Sequence, residues 1–177
     1  MKYFTPELYL QYNSKDDNLA DLADEAWETA IRTYQGSLDA FRNSIPPRVV
    51  ELVDGSPLHD AELISFQADL PSPIPEVLVS PMTAAMALKF NQQIVNIDYI
   101  LWDAVAQSSP YQSWPFSSAR VHWLYDEVGL EGSESNGRQR FWHRILFSNG
   151  RIAKIPFVDV IISRFSPEPH LVTRSWR

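Results

Sequence analysis

His59 and Asp60 stand side by side in Pro57-Leu58-His59-Asp60-Ala61-Glu62-Leu63, where a loop runs into an extended segment. An imidazole beside a carboxylate can ligate a metal or move a proton near neutral pH, and Glu62 shares a strand face with Asp60 if extension begins there. The same pair can serve structure alone, the histidine bonding nearby carbonyls and the aspartate capping a turn. His143 alternates with Phe141, Ile145 and Phe147, so it is expected in or near the core with an internal hydrogen-bond partner, for which Asp60 is one candidate. If His59, Asp60 and His143 met Asp126 or Glu127, they would form the centre of a small metal-dependent hydrolase.

The opposite face of the His143 strand carries Arg138, Arg140, Trp142 and Arg144. Three guanidiniums around an indole can hold phosphate, carboxylate or a stacked ring. They can equally pair across strands with Asp126, Glu127 or Asp159. Tyr111 and Trp114 lie in an aromatic segment, 106–118, that also holds Phe116; they could offer a platform to a sugar or peptide, or fasten their loop to the sheet. His122 falls out of phase with Val121 and Trp123 and is expected to be exposed, and His170 sits in a proline-rich tail.

Other chemistries are excluded by what the chain lacks. It has 177 residues and no cysteine, which removes disulfides, thiolate nucleophiles and cysteine-ligated metals. Six scattered glycines build neither a phosphate loop nor a nucleophile elbow. No cofactor is expected. The formal charge of −7 argues against general attraction to nucleic acid or anionic membrane. No apolar run approaches the ~18 residues of a membrane span. The N-terminus shows no export signal, so the expected location is cytoplasmic. Charge is uneven, −4 over 1–44, −6 over 45–112 and +3 over 113–177, as it would be if the parts complemented one another across an interface or the basic end received an acidic partner.

The elements that must position these residues follow from periodicity. Thr5-Pro6-Glu7 reads as a helix start, with a short helix ending near Asn13. Ser14 and Asp17 have the spacing of a second cap, and a long helix over about 15–43 should follow. Its apolar stripe is Leu19, Ala23, Ala26, Trp27, Ala30, Ile31, Tyr34, Leu38 and Phe41; its acids point elsewhere, and Glu28 and Arg32 are spaced as an ion pair. A third short helix fits 47–53. From 58 the rhythm becomes two-residue. Strands are expected over 62–68, 82–90, about 95–101, 121–125, 140–147 and 151–157, the last extendable to 163, with Asn91-Gln92-Gln93 and Asn149-Gly150 as hairpin turns. Pro71, Pro73 and Pro75 mark a connecting loop, and 131–137 is the least ordered-looking internal stretch.

The summed pattern is a single α+β domain, 1–177. A helical part (1–55) covers an antiparallel β-meander (58–165) that forms a sandwich or partial barrel, followed by a tail (166–177) that Trp176 could anchor.

Met1-Lys2-Tyr3-Phe4-Thr5 with Glu7-Leu8-Tyr9, then Leu58-His59-Asp60-Ala61, then Ile145-Leu146-Phe147-Ser148-Asn149-Gly150-Arg151 together resemble an uncharacterised family of bacterial proteins, a domain of unknown function. The resemblance implies a bacterial cytoplasmic origin and supplies no activity and no functional residue. By size and helix-plus-strand organisation the chain also looks like some toxin-immunity proteins. The leading expectation is a noncatalytic protein-interaction module, adaptor or immunity-like, acting as monomer or weak homodimer on an unidentified protein partner and on neither nucleic acid nor membrane. The hydrolase is one alternative. A small-molecule carrier is the other, if the strands enclose a cavity.

Overall fold

The computed structural model describes residues 1–54, 58–69, 81–116, 118–135 and 137–166. Helix α1, Pro6–Tyr12, starts as its sequence dictates: Thr5 Oγ1 accepts the Leu8 N–H at 3.2 Å, and Pro6 fills the first helical position. Helix α2, Asp17–Asp39, is shorter than expected at both ends. Its cap is Asp16, which accepts from the N–H groups of Asn18 and Leu19, while Ser14 Oγ receives the Asp16 N–H at 3.1 Å. A full negative charge at the positive helix end displaces the Ser14–Asp17 arrangement. A 3₁₀ turn at Arg42–Ser44 then leads to helix α3, Pro47–Asp54.

The buried stripe of α2 is narrower than the sequence suggests. Ala23, Trp27 and Leu38 are buried, whereas Leu19, Leu22, Ala26 and Ile31 face water. One helix lying on one hairpin covers less than half its circumference, so flanking positions stay uncovered. The expected Glu28–Arg32 pair does not form, and Arg32 donates to Thr29 Oγ1 instead.

Seven strands follow: β1 Glu62–Ala68, β2 Thr83–Phe90, β3 Gln93–Leu101, β4 Ala106–Gln107, β5 Trp123–Ser133, β6 Gln139–Phe147 and β7 Ile152–Phe165. All pairings are antiparallel, in the order β1-β2-β3-β7-β6-β5, with β4 also on β7. The chain is thus α+β, with its sheet curled into a half-barrel. The expected single meander resolves into two, β1-β2-β3 and β5-β6-β7, joined through β3 and β7. That choice depends on a pairing some sixty residues apart, which alternation cannot specify.

Both hairpin turns form where expected. Asn91 and Gln92 have φ of 47° and 64°, and Gly150 has φ of 75°. Strand β5 departs most from the reading: it runs through 131–133 of the stretch expected to lack order, and a register shift between Trp123 and Tyr125 reverses its faces. Trp123 stays inside, while Tyr125 joins Glu127 and Gly129 on the outer face.

The sheet is therefore buried on both sides around β6, whereas β2 alternates buried and exposed residues. Its concave face is filled by Met86, Leu88, Ile97, Tyr99, Phe141, Ile145, Ile155 and Phe157, all under 2% exposed, with Val49 of α3 in the same cluster. On the convex face, Phe4, just ahead of α1, and Trp27 of α2 pack on Tyr125 of β5. One corner of the half-barrel closes through backbone bonds between the start of β1 and the start of β5: Leu63 N–H to Val121 O (2.7 Å), Trp123 N–H to Ala61 O (2.9 Å) and Asp60 N–H to Trp123 O (2.8 Å). The Pro71–Pro75 connection, the stop after α3 at 55–57, and the tail with His170 and Trp176 lie outside the described residues. No helix among the described residues is long and apolar enough to cross a membrane.

Candidate functional site

His143 is in the core, as its alternation requires, but its partners are not Asp60. The ring is fully buried between strands, with Nδ1 2.8 Å from the Tyr99 hydroxyl and Nε2 3.1 Å from Asp126 Oδ2. Burial, then the Asp126 charge, hold the Tyr99 phenol well above its ordinary value, so the hydroxyl keeps its proton; because a carboxylate at Nε2 can only accept, the neutral ring carries its proton there and accepts from Tyr99 at Nδ1. Nε2–H is left to donate to Asp126, whose other oxygen accepts from Trp123 Nε1 at 3.0 Å. Every polar atom of this Tyr99–His143–Asp126–Trp123 chain has a partner, which makes it a bolt between β3, β5 and β6.

His59 and Asp60 lie apart from that network. His59 Nδ1 is 2.9 Å from Asp60 Oδ2, and both side chains are exposed, at 42% and 73%. Asp60 has φ of 67° in the turn that delivers the corner-closing amides. Among the described residues no group of three or more histidine, aspartate or glutamate side chains is placed to hold a metal. Convergence of His59 and Asp60 with His143 does not occur.

What surrounds His59 is aromatic. Its ring meets Tyr125 edge-on at 4.9 Å, and Tyr125 contacts Tyr9 (5.8 Å) and Trp27 (4.5 Å). Tyr9 stacks on Trp114 at 5.6 Å and meets Phe116 at 5.9 Å, and Tyr12 packs on Trp27 at 5.5 Å. Trp114 fastens its loop to the sheet, one of the two readings the sequence allowed. Its indole N–H ties the loop to Ser148 O at 2.8 Å, with the Tyr111 N–H bonded to Gly150 O, while its ring joins the surface. Tyr12 and Phe116 are each 42% exposed. Burial and then the Asp60 charge push the Tyr9 phenol up; burial, Tyr9, Tyr12 and Asp60 do the same for Tyr125, so both remain hydroxyl donors at neutral pH. The result is a contiguous aromatic cluster, buried at Trp27 and open to water at Tyr12 and Phe116, with a carboxylate on its rim. Tyr9, Tyr12 and Tyr125 were not read from the sequence as site residues. Tyr125 alternates with Val121 and Trp123 in the sequence, and the register shift ahead of it, which puts it on the other face from Trp123, leaves no mark in hydrophobicity.

The arginine face divides. Arg140 lies 5.1 Å from the Trp102 ring with Glu134 at 3.5 Å, and Asp159 pairs with Arg48 instead. Arg144 lies over the Trp142 ring at 4.2 Å, lining a groove of about 480 Å³ with Lys2, Tyr3, Ser37 and Phe41. Glu127 sits opposite Arg144 in register yet serves another purpose. Fully buried, it accepts the backbone N–H groups of Lys2, Tyr3 and Phe4 at 2.6–3.0 Å, a three-amide nest that holds the N-terminal segment to the sheet. The signal available in the sequence was an acid two residues beyond Tyr125, legible once that strand's outer face is assigned.

No protein-family model and no curated protein matches the chain. The functional argument therefore rests on the geometry above.

Proposed function

We propose that the chain is a noncatalytic protein-interaction module whose aromatic surface binds a partner presenting a basic, amphipathic segment. The observation that carries this reading is the run Tyr12–Trp27–Tyr125–Tyr9–Trp114–Phe116, exposed at both ends, with Asp60 at its edge. Aromatic faces beside a carboxylate attract lysine and arginine by cation–π and charge together. The exposed side of α2 extends the same complementarity, since Leu19, Leu22 and Ala26 lie on one face next to Glu25 and Asp21. The filled concave face favours this reading over a carrier, and the separation of His59 and Asp60 from His143 favours it over the hydrolase. The family resemblance supports a bacterial cytoplasmic setting.

Selection of a random peptide library on the intact chain tests the proposal, with counter-selection on a Tyr12→Ser/Phe116→Ser double variant. Enriched peptides should carry lysine or arginine next to apolar residues. They should lose about tenfold in affinity on Asp60→Asn, as expected for a charge-assisted contact. Enrichment of acidic peptides, or of peptides that bind the double variant equally well, overturns it.

A further inference from the structure

We propose that the groove beside Trp142 is a binding site for a small planar oxyanion, an aromatic ring carrying a phosphate or carboxylate. The site is separate from the aromatic surface, and the inference does not depend on the interaction reading.

The argument begins with charge. In a chain of net charge −7, Lys2 and Arg144 line one groove, and among the described residues neither forms an ion pair. The acid that register places opposite Arg144, Glu127, is consumed by three backbone amides. The carboxylate in register with Arg144 thus bonds backbone amides, and neither cation is engaged by a side-chain ion pair.

The second argument is shape. Trp142 lies directly over Gly129, where any Cβ would collide with the indole, and it is 9% exposed. The Arg144 guanidinium carbon lies over that ring at 4.2 Å from its centroid. A guanidinium held against an indole by a cation–π contact still has N–H groups for bidentate contact with an oxyanion. Lys2 Nζ lies 4.8 Å from the Tyr3 ring centroid, so both cations are positioned by aromatic rings. Burial and the Glu127 charge raise the Tyr3 phenol, but its hydrogen bonds to Lys2 and Ser37 and the Lys2 charge outweigh them and bring it below the ordinary value. Phe41 and Leu130 supply apolar walls, and the volume of about 480 Å³ accommodates one ring with its acid group.

The experiment is titration of the full chain, followed by amide and indole NMR shifts, with phenyl phosphate, benzoate, inorganic phosphate and benzyl alcohol as separate probes. Phenyl phosphate or benzoate should shift the Trp142 indole N–H and the Ser37 amide at millimolar concentration, and the two arms say which oxyanion is preferred. Arg144→Met and Lys2→Gln should each weaken that binding about tenfold. Lys2 is exposed, so its variant keeps the test decisive if Arg144→Met fails to fold. Failure of both ring-bearing anions to move those signals overturns the proposal. So does inorganic phosphate or benzyl alcohol binding as tightly as the combined probes, or unchanged affinity in Lys2→Gln.

Discussion

At the scale of single residues, Glu127 is a buried carboxylate satisfied entirely by main-chain donors. Replacing it with glutamine keeps one acceptor oxygen but turns an NH₂ group toward a nest of N–H groups. Charge-assisted bonds to a buried ion are worth about 1.5–3 kcal/mol each, so Glu127→Gln should lower unfolding stability by about 3 kcal/mol. The chemical-denaturation midpoint should fall, and protease cleavage near residues 2–4 should accelerate before global unfolding. A midpoint unchanged from the parent would show that the nest contributes nothing. His143 makes the complementary point about legibility. Its burial could be read from Phe141, Ile145 and Phe147, because that face has one period. Its partners Tyr99 and Asp126 come from two other strands, and no local pattern couples them.

At the scale of elements, backbone conformation separates two glycines with opposite expected responses. Gly36 lies within α2 with nothing within 4 Å of a built Cβ, so Gly36→Ala should stabilise the chain by about 0.5–1 kcal/mol through helix propensity. Gly150 has φ of 75°, and its Cβ would lie 2.6 Å from Trp114 Cγ. Gly150→Ala therefore incurs about 1–2 kcal/mol of left-handed strain and also displaces the indole that ties the 108–116 loop to the hairpin. Thermal unfolding should move up for the first and down for the second, with Trp114 fluorescence altered in the second. Equal shifts would remove the conformational explanation. The Asn149-Gly150 hairpin was legible because a two-residue turn demands those residue types. Strand β5 was not, because a register shift reverses which residues face the core without changing composition, and the aromatic surface went unread with it.

At the scale of the whole molecule, ion pairs join 113–177 to 45–112, Arg164 with Glu51 and Arg120 with Glu62 in the sense of the segment charges and Arg48 with Asp159 in the opposite sense. These pairs are largely exposed, and such bridges contribute at most about 1 kcal/mol each, so they orient α3 and the corner of the sheet more than they hold them. Backbone closure carries more weight. The Leu63, Trp123 and Asp60 amides link the two ends of a seven-stranded sheet beside Ala61 and Trp123, which are 0% and 1% exposed. If that corner belongs to the same cooperative unit as the central pairing of β3 with β7, its amides open only when the whole sheet does. Native-state hydrogen exchange should then give Leu63 and Trp123 protection within roughly tenfold of the slowest amides in β3 and β7. Exchange faster by several orders of magnitude would mean that the ends merely abut, leaving an open sheet. The turn holding His59 and Asp60 would in that case lose its fixed position beside Tyr125, because Asp60 sets the aromatic rim through the same amide that closes the corner.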